Sequence, residues 1–164
     1  NEGEFSLLCK KEAMVVSTDF DSACIDSLYR RLKKEKQQHI LPLVLDLTYP
    51  SPGIGWMNAE RAPFFQRKSF DLCMALALIH HLAIAKNISF KQLASFFAFI
   101  CKALIIEFVP KTDPKVIGML QWRKDIFEDY TEEGFEEAFE KNFVRREKKS
   151  VVGSGRIMYV YQRK

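Results

Sequence analysis

Short unbroken apolar runs alternate along this chain with stretches whose apolar residues recur every third or fourth position. That is the pattern of buried parallel strands separated by amphipathic helices. The sharpest case is Leu43-Val44-Leu45, which stops at Asp46 and is followed by ten residues holding two prolines and two glycines, as when a strand gives way to a loop. Taken in order, Phe5, Leu7 and Leu8 with closing Lys10 and Lys11 predict a short helix over 4–11. A strand over 13–18 then ends at Asp19. Asp21 or Ser22 caps a helix carrying Ala23, Ile25, Leu28, Tyr29 and Leu32. A second strand covers 40–45, with a Pro/Gly loop to Trp56 and a helix from 57 or 58 to 67.

The run 70–78 is apolar after Asp71 and is expected to be a strand buried on both faces. Past His80 and His81, a short helical turn leads to Ser89, whose hydroxyl forms a capping box with Gln92 at the head of a helix carrying Leu93, Phe96, Phe97 and Ile100. A strand over 103–108 ends at Glu107, and Asp113-Pro114 starts a helix over about 115–124. Thr131 opens the last helix, with Phe135, Ala138 and Phe139 on one side. Strands over 143–150 and 156–162, joined through Gly153-Ser154-Gly155, close the chain as an antiparallel hairpin. The fold class is therefore α/β: a doubly wound, mostly parallel sheet covered on both faces, with a terminal antiparallel hairpin.

Composition narrows the function. At 164 residues and 48% hydrophobic, the chain has material for one well-packed domain and is not disordered. The formal charge is +4, but the basic residues are dispersed apart from runs at 30–36 and 145–149, each at the end of an element and read as solvated. A nucleic-acid footprint is thus disfavoured against a small-molecule partner. Cys9, Cys24, Cys73 and Cys101 form no CxxC pair, so reduced structural thiols in a cytoplasmic protein are expected, with no metal site. The longest strongly apolar stretch, 72–85, is interrupted by both histidines and is too short to span a bilayer.

The candidate chemistry lies at strand ends. Asp19 and Asp46 each end an apolar strand and are separated by one helix-plus-strand unit, which sets them side by side along the carboxyl edge of a doubly wound sheet. There one can accept hydrogen bonds from a ribose diol and the other from an adenine amino group; each can equally just cap the helix that follows. His80 and His81 follow the third strand and can take a proton from an acceptor hydroxyl or amine, although one packed and one solvated ring is the commoner arrangement. Glu107 can orient His81 or a substrate amine, or pair with Lys111 or a helix amide.

Asn1-Glu2-Gly3-Glu4-Phe5-Ser6, Val15-Val16-Ser17-Thr18-Asp19, Leu45-Asp46-Leu47 and Leu76-Ala77-Leu78-Ile79-His80-His81-Leu82 resemble, in order and spacing, successive motifs of class I S-adenosylmethionine-dependent methyltransferases. The run from Asp46 to Trp56, with Ile106-Glu107-Phe108-Val109-Pro110 and Asp125-Ile126-Phe127-Glu128-Asp129-Tyr130-Thr131, resembles more closely a bacterial nodulation-type branch. The resemblance implies a Rossmann-like methyltransferase fold and S-adenosylmethionine as cofactor. Asn1 and Gly3 correspond to the tail of the glycine-rich motif passing the methionine part, Asp19 to the ribose-binding acid with Phe20 beside the adenine, and Asp46 with Leu47 to the adenine-contacting pair. His80 and His81 stand where acceptor and methyl group meet. Relatives carry a further strand and an Asp-x-Gly segment immediately before Asn1, in mid-sheet between the strands of 15–18 and 70–78. Residues 1–164 are therefore expected to be a single S-adenosylmethionine-binding domain lacking its first strand, the carboxyl-terminal part of a longer protein. The absence of an Asn-Pro-Pro-aromatic motif after the third strand argues against amino-group methylation of nucleic acid or glutamine, and a carbohydrate or other small hydroxylic acceptor is expected by analogy. The competing readings are a nicotinamide-dependent oxidoreductase, where an acid after the second strand also serves a ribose, and a non-catalytic interaction domain that kept the fold.

Overall fold

Two parallel strand pairs, each joined by a crossover helix, carry the fold. The computed structural model describes residues 3–67 and 69–164, which divide into two units, Asn1–Pro63 and Phe64–Lys164.

In the first unit α1 (Glu4–Leu7) leads to β1 (Val15–Asp19), and β1 pairs in parallel with β2 (Ile40–Val44) across α2 (Ser22–Lys34). The Asp21 side chain accepts the Ala23 amide and so starts α2. Ile25, Leu28 and Leu32 fall on its buried stripe, and Leu28 and Leu32 pack with Ile40 while Leu7 and Val15 close over them. The basic residues at the end of α2 suit the helix dipole, and Arg31 is further tied to Glu4 at 2.6 Å and Glu35 at 3.1 Å. The helix expected over 4–11 ends at Leu7, its last turn tightened by the Leu8 and Cys9 amides, which bond three residues back.

The helix expected from 57 or 58 to 67 does not form. Trp56–Asn58 and Phe64–Gln66 are single 3-10 turns, and an isolated antiparallel bridge links Ile54 to Arg61. Met57 and Asn58 sit at φ 53° and 58°, in the left-handed region, and Pro63 disfavours helical backbone at the residue before it.

The second unit is a four-stranded sheet in the order β3-β4-β6-β5, built from β3 (Phe70–Ala75), β4 (Cys101–Phe108), β5 (Phe143–Ser150) and β6 (Ile157–Arg163). β3 and β4 are parallel, joined through α3 (Phe90–Ile100), and β6 runs antiparallel to both β4 and β5. The Ser89–Gln92 capping box is present at the head of α3. β3 ends at Ala75, three residues earlier than expected, because Ala77 at φ 48° cannot continue a strand. Nor is β3 buried on both faces: Leu72 and Met74 are 48% and 42% exposed, and among the described residues β3 pairs with β4 alone. α4 (Pro114–Leu120) stops short of residue 124, with Gly118 weakening its interior. α5 (Glu132–Glu140) is capped by Thr131, which accepts the Gly134 amide.

The core of this unit is aromatic. Phe135 of α5 lies 4.4 Å from Phe139, 5.0 Å from Tyr159 and 5.4 Å from both Phe90 and Phe108, centroid to centroid. Tyr159 and Tyr161 stack in β6 with nearly parallel rings. The Tyr159 hydroxyl donates to Glu136 at 2.8 Å and that of Tyr130 to the Val109 carbonyl at 2.8 Å, so two of the buried rings satisfy their polar ends. Edge strand β5 is exposed beyond Phe143 and densely charged, a composition that resists pairing with another chain. Its basic run is not simply solvated. Arg145 bonds Glu136 and Glu140, and Lys148 bonds Glu132 and Glu136, fastening β5 to α5. All four cysteines are free thiols. Among the described residues no helix is long and apolar enough to cross a membrane.

Two outcomes follow for stability. Phe135→Ala should cost about 3–5 kcal/mol, because a fully buried ring contacting both sheet and helices leaves a cavity its neighbours cannot fill; an unchanged urea midpoint would show that α5 is not packed on this sheet. Burial works to raise the Glu136 carboxyl, but its bonds to Lys148, Tyr159 and Arg145 outweigh that and hold it at about 2, against an ordinary 4.5. A depressed folded value contributes stability above the ordinary value and loses it as pH falls from about 4.5 towards 2. Glu136→Gln should flatten that acid limb in a denaturation series across pH.

Candidate functional site

In the first unit the carboxyl edge of the parallel pair is set by register: Asp19 is opposite Val44, and the Leu45 amide donates to the Asp19 carbonyl at 2.8 Å. Asp46 follows one residue later. Both expected carboxylates therefore stand at one edge of one strand pair. Each is oriented by the chain that follows it. Asp19 Oδ1 accepts the Asp21 amide at 3.0 Å, while Asp46 Oδ1 accepts the Thr48 amide at 2.8 Å and the Thr48 hydroxyl at 2.6 Å. Both are half-buried and neither caps a helix, since Asp21 holds that position for α2. Phe20, next to Asp19, is 76% exposed, and Leu47 is half-buried. These groups present acceptors for hydroxyls and an amino group beside an open aromatic face, a donor-seeking set that fits a nucleoside.

Gly3 is buried at φ 75°, and a Cβ on it would meet both Leu28 methyl carbons at 2.7 Å. Only glycine suits that backbone and that approach to α2. Asn1 lies outside the described residues.

In the second unit the loop after β3 is held by Glu107, near the end of β4. Glu107 Oε2 accepts the Ala77 amide at 2.6 Å and Oε1 faces Arg156 Nη1 at 3.5 Å. Lys111 pairs instead with Asp125 at 2.7 Å. Arg156 Nε also donates to Asp113 Oδ2 at 2.7 Å, and Asp113 Oδ1 caps α4 by accepting the Lys115 amide at 2.9 Å. The guanidinium beside Asp113 holds its carboxyl below the usual range.

His80 and His81 have opposite environments. His80 is 1% exposed, its Nδ1 has no hydrogen-bond partner among the described residues, and burial, reinforced by the charges of His81 and Arg156, holds it down to about 4. His81 is exposed at the start of a π-helical turn, His81–Ala85, with its ring 4.2 Å from that of His80. Among the described residues no group of three or more His, Cys, Asp and Glu is placed to hold a metal. Sequence reasoning missed Arg156 and Asp113. The Asp113-Pro114 pair announced only a helix start, and nothing local to Arg156 signals a partner 49 residues away.

Parallel βαβ pairs and a closing antiparallel hairpin are a build that this chain shares with solved methyltransferase structures. The bifunctional kinase-methyltransferase WbdD matches with a TM-score of 0.60 at 19% identity, over 98% of this chain and 32% of that one. An rRNA methylase from Escherichia coli matches with a TM-score of 0.61 at 14% identity, over 100% of this chain and 54% of that one. The chain is a methyltransferase-fold protein. It is homologous to nodulation protein NoeA of Rhizobium meliloti strain 1021, with 38% identity over 165 residues, 99% of this chain and 34% of that protein. It thus spans about a third of the length of that relative. No family model matches the chain.

Gly3→Ala should destabilise the first unit by about 1–3 kcal/mol, since the substitution combines a left-handed backbone with a steric conflict against Leu28. Hydrogen exchange at the α2 amides reads it; protection equal to that of the parent would refute the packing argument.

Proposed function

We propose that residues 1–164 form one S-adenosylmethionine-binding methyltransferase domain, and that the protein transfers the methyl group to a small hydroxylic acceptor. The observation that carries this reading is the pair Asp19 and Asp46, both half-buried and held by their own loops at one carboxyl edge. The cofactor supplies an activated methyl on a sulfonium, so no covalent help from the protein is required and alignment is its main task. Asp19 accepts the ribose hydroxyls with Phe20 alongside the adenine, Asp46 accepts from the adenine amino group against Leu47, and Gly3, with Asn1, lets the backbone pass the methionine part.

An acceptor hydroxyl must lose its proton as it is methylated. Of the two histidines, His81 is the better base. It is exposed, whereas His80 is enclosed and held at about 4, too weak to take a proton near neutrality. Glu107 serves that loop by holding the Ala77 amide.

Isothermal titration of S-adenosylmethionine into the full-length protein tests the reading. Asp19→Ala and Asp46→Ala should each weaken binding by about tenfold or more, the worth of a hydrogen bond to a charged acceptor. Equal affinity for parent and variants sinks the assignment. A protein that binds a nicotinamide dinucleotide and not S-adenosylmethionine overturns the reading altogether.

A further inference from the structure

Three segments distant in the chain meet at one guanidinium in the second unit. Arg156, just ahead of β6, spans the carboxylates of Asp113 at the head of α4 and Glu107 near the end of β4. Through Glu107 it reaches the Ala77 amide, four residues from His81. Glu107 and Asp113 are 7% and 8% exposed, so two carboxylates are kept from water with this one guanidinium bonded to both. An Arg fork can serve two acceptors at once, which the point charge of a Lys does less well.

Ala77 shows what the arrangement holds in place. It is a non-glycine residue at φ 48°, a conformation that persists only where its surroundings impose it. The Glu107 bond to its amide is the visible constraint. Without the guanidinium, Glu107 is left as an enclosed carboxylate with an amide for partner. It then relieves its charge by withdrawing towards water. That weakens or breaks the hold on Ala77, and the backbone leading to His80 and His81 is free to relax.

We propose that Arg156 is the positioning residue for the His80–His81 segment, acting through Glu107 and the Ala77 amide. This rests on the reading that the segment serves acceptor deprotonation, yet it can be tested without an acceptor. The charged groups that act on His80 are His81, Arg156, Asp113 and Lys115.

The experiment uses the full-length protein with ring-labelled histidine and an assigned Ala77 amide, comparing the parent with Arg156→Met, Arg156→Lys and the double variant Arg156→Met/Glu107→Gln. In Arg156→Met the His80 titration should move upward from about 4, since a cation is lost while the Asp113 carboxylate remains. The Ala77 amide should lose its hydrogen-exchange protection by about tenfold or more, the worth of a charge-assisted hydrogen bond. Arg156→Lys should recover that protection in part. The double variant should recover it too, because a Gln at 107 keeps an acceptor oxygen for Ala77 without the unpaired charge. A purely stabilising ion pair predicts no such rescue. If Arg156→Met does not fold, the Lys and double variants decide alone, and an Ala77 amide unprotected in both overturns the proposal. So does an Arg156→Met protein whose His80 titration and Ala77 protection match the parent. Titration with S-adenosylmethionine on the same samples separates the two claims: absent binding in the parent defeats the methyltransferase reading, while the ring and amide data still judge the role of Arg156.

Discussion

A carboxylate at or near the carboxyl end of a strand must find hydrogen-bond donors, and the loop beyond it offers them. That requirement shapes this protein repeatedly. Asp19 takes the Asp21 amide, Asp46 the Thr48 amide and hydroxyl, and Glu107 the Ala77 amide. In each case an acid that could have been a liability in a hydrophobic strand fixes the path of a loop. Loops fixed at one edge of a parallel pair are what a nucleoside-binding fold requires, since selectivity there comes from a few placed acceptors rather than from apolar area. The carboxylates are therefore both architecture and the proposed binding groups.

The second unit spends its hydrophobic material differently from the first. In Asn1–Pro63 a small aliphatic cluster of Leu28, Leu32 and Ile40 suffices to join one helix to two strands. In Phe64–Lys164 the rings of Phe90, Phe108, Phe135, Phe139, Tyr159 and Tyr161 interlock, each burying far more area than an aliphatic side chain. This allows five of the eight residues of β5 to be charged. Its cations engage the glutamates of α5, so the edge that a solvent-exposed strand would offer for aggregation is taken up by ion pairs within the same unit.

Much of this was legible in the sequence because it depends on local signals. Apolar runs ending in acids located β1, β2 and β4, the Ser89–Gln92 spacing announced a capping box, and the Gly-Ser-Gly turn announced the hairpin. Two of the failures share one cause: backbone that enters the left-handed region. Met57 and Asn58 cancel a helix that their neighbours favour, and Ala77 ends β3 before its apolar run is over. At the candidate site, Asp19 and Asp46 could be placed by periodicity. The Glu107–Arg156–Asp113 cluster could not, because an ion pair spanning 49 residues leaves no periodic trace.

The two adjacent histidines show how little residue type decides and how much the backbone does. As a dipeptide, His80-His81 offers two equivalent rings with the same ordinary titration. One residue later in the chain, at the entry to a π-helical turn, the side chain has rotated from the enclosed interior to the surface. Burial, reinforced by the charges of His81 and Arg156, holds the enclosed ring well below the ordinary histidine range. In the proposed reading the packed His80 ring backs the exposed His81, which serves as the base. That arrangement needs the loop to enter the turn at a fixed angle, which the proposal assigns to Ala77, a non-glycine residue at positive φ whose amide is held by a single carboxylate. A chain that placed glycine at 77 would remove the strain and with it the definition of where the second ring points.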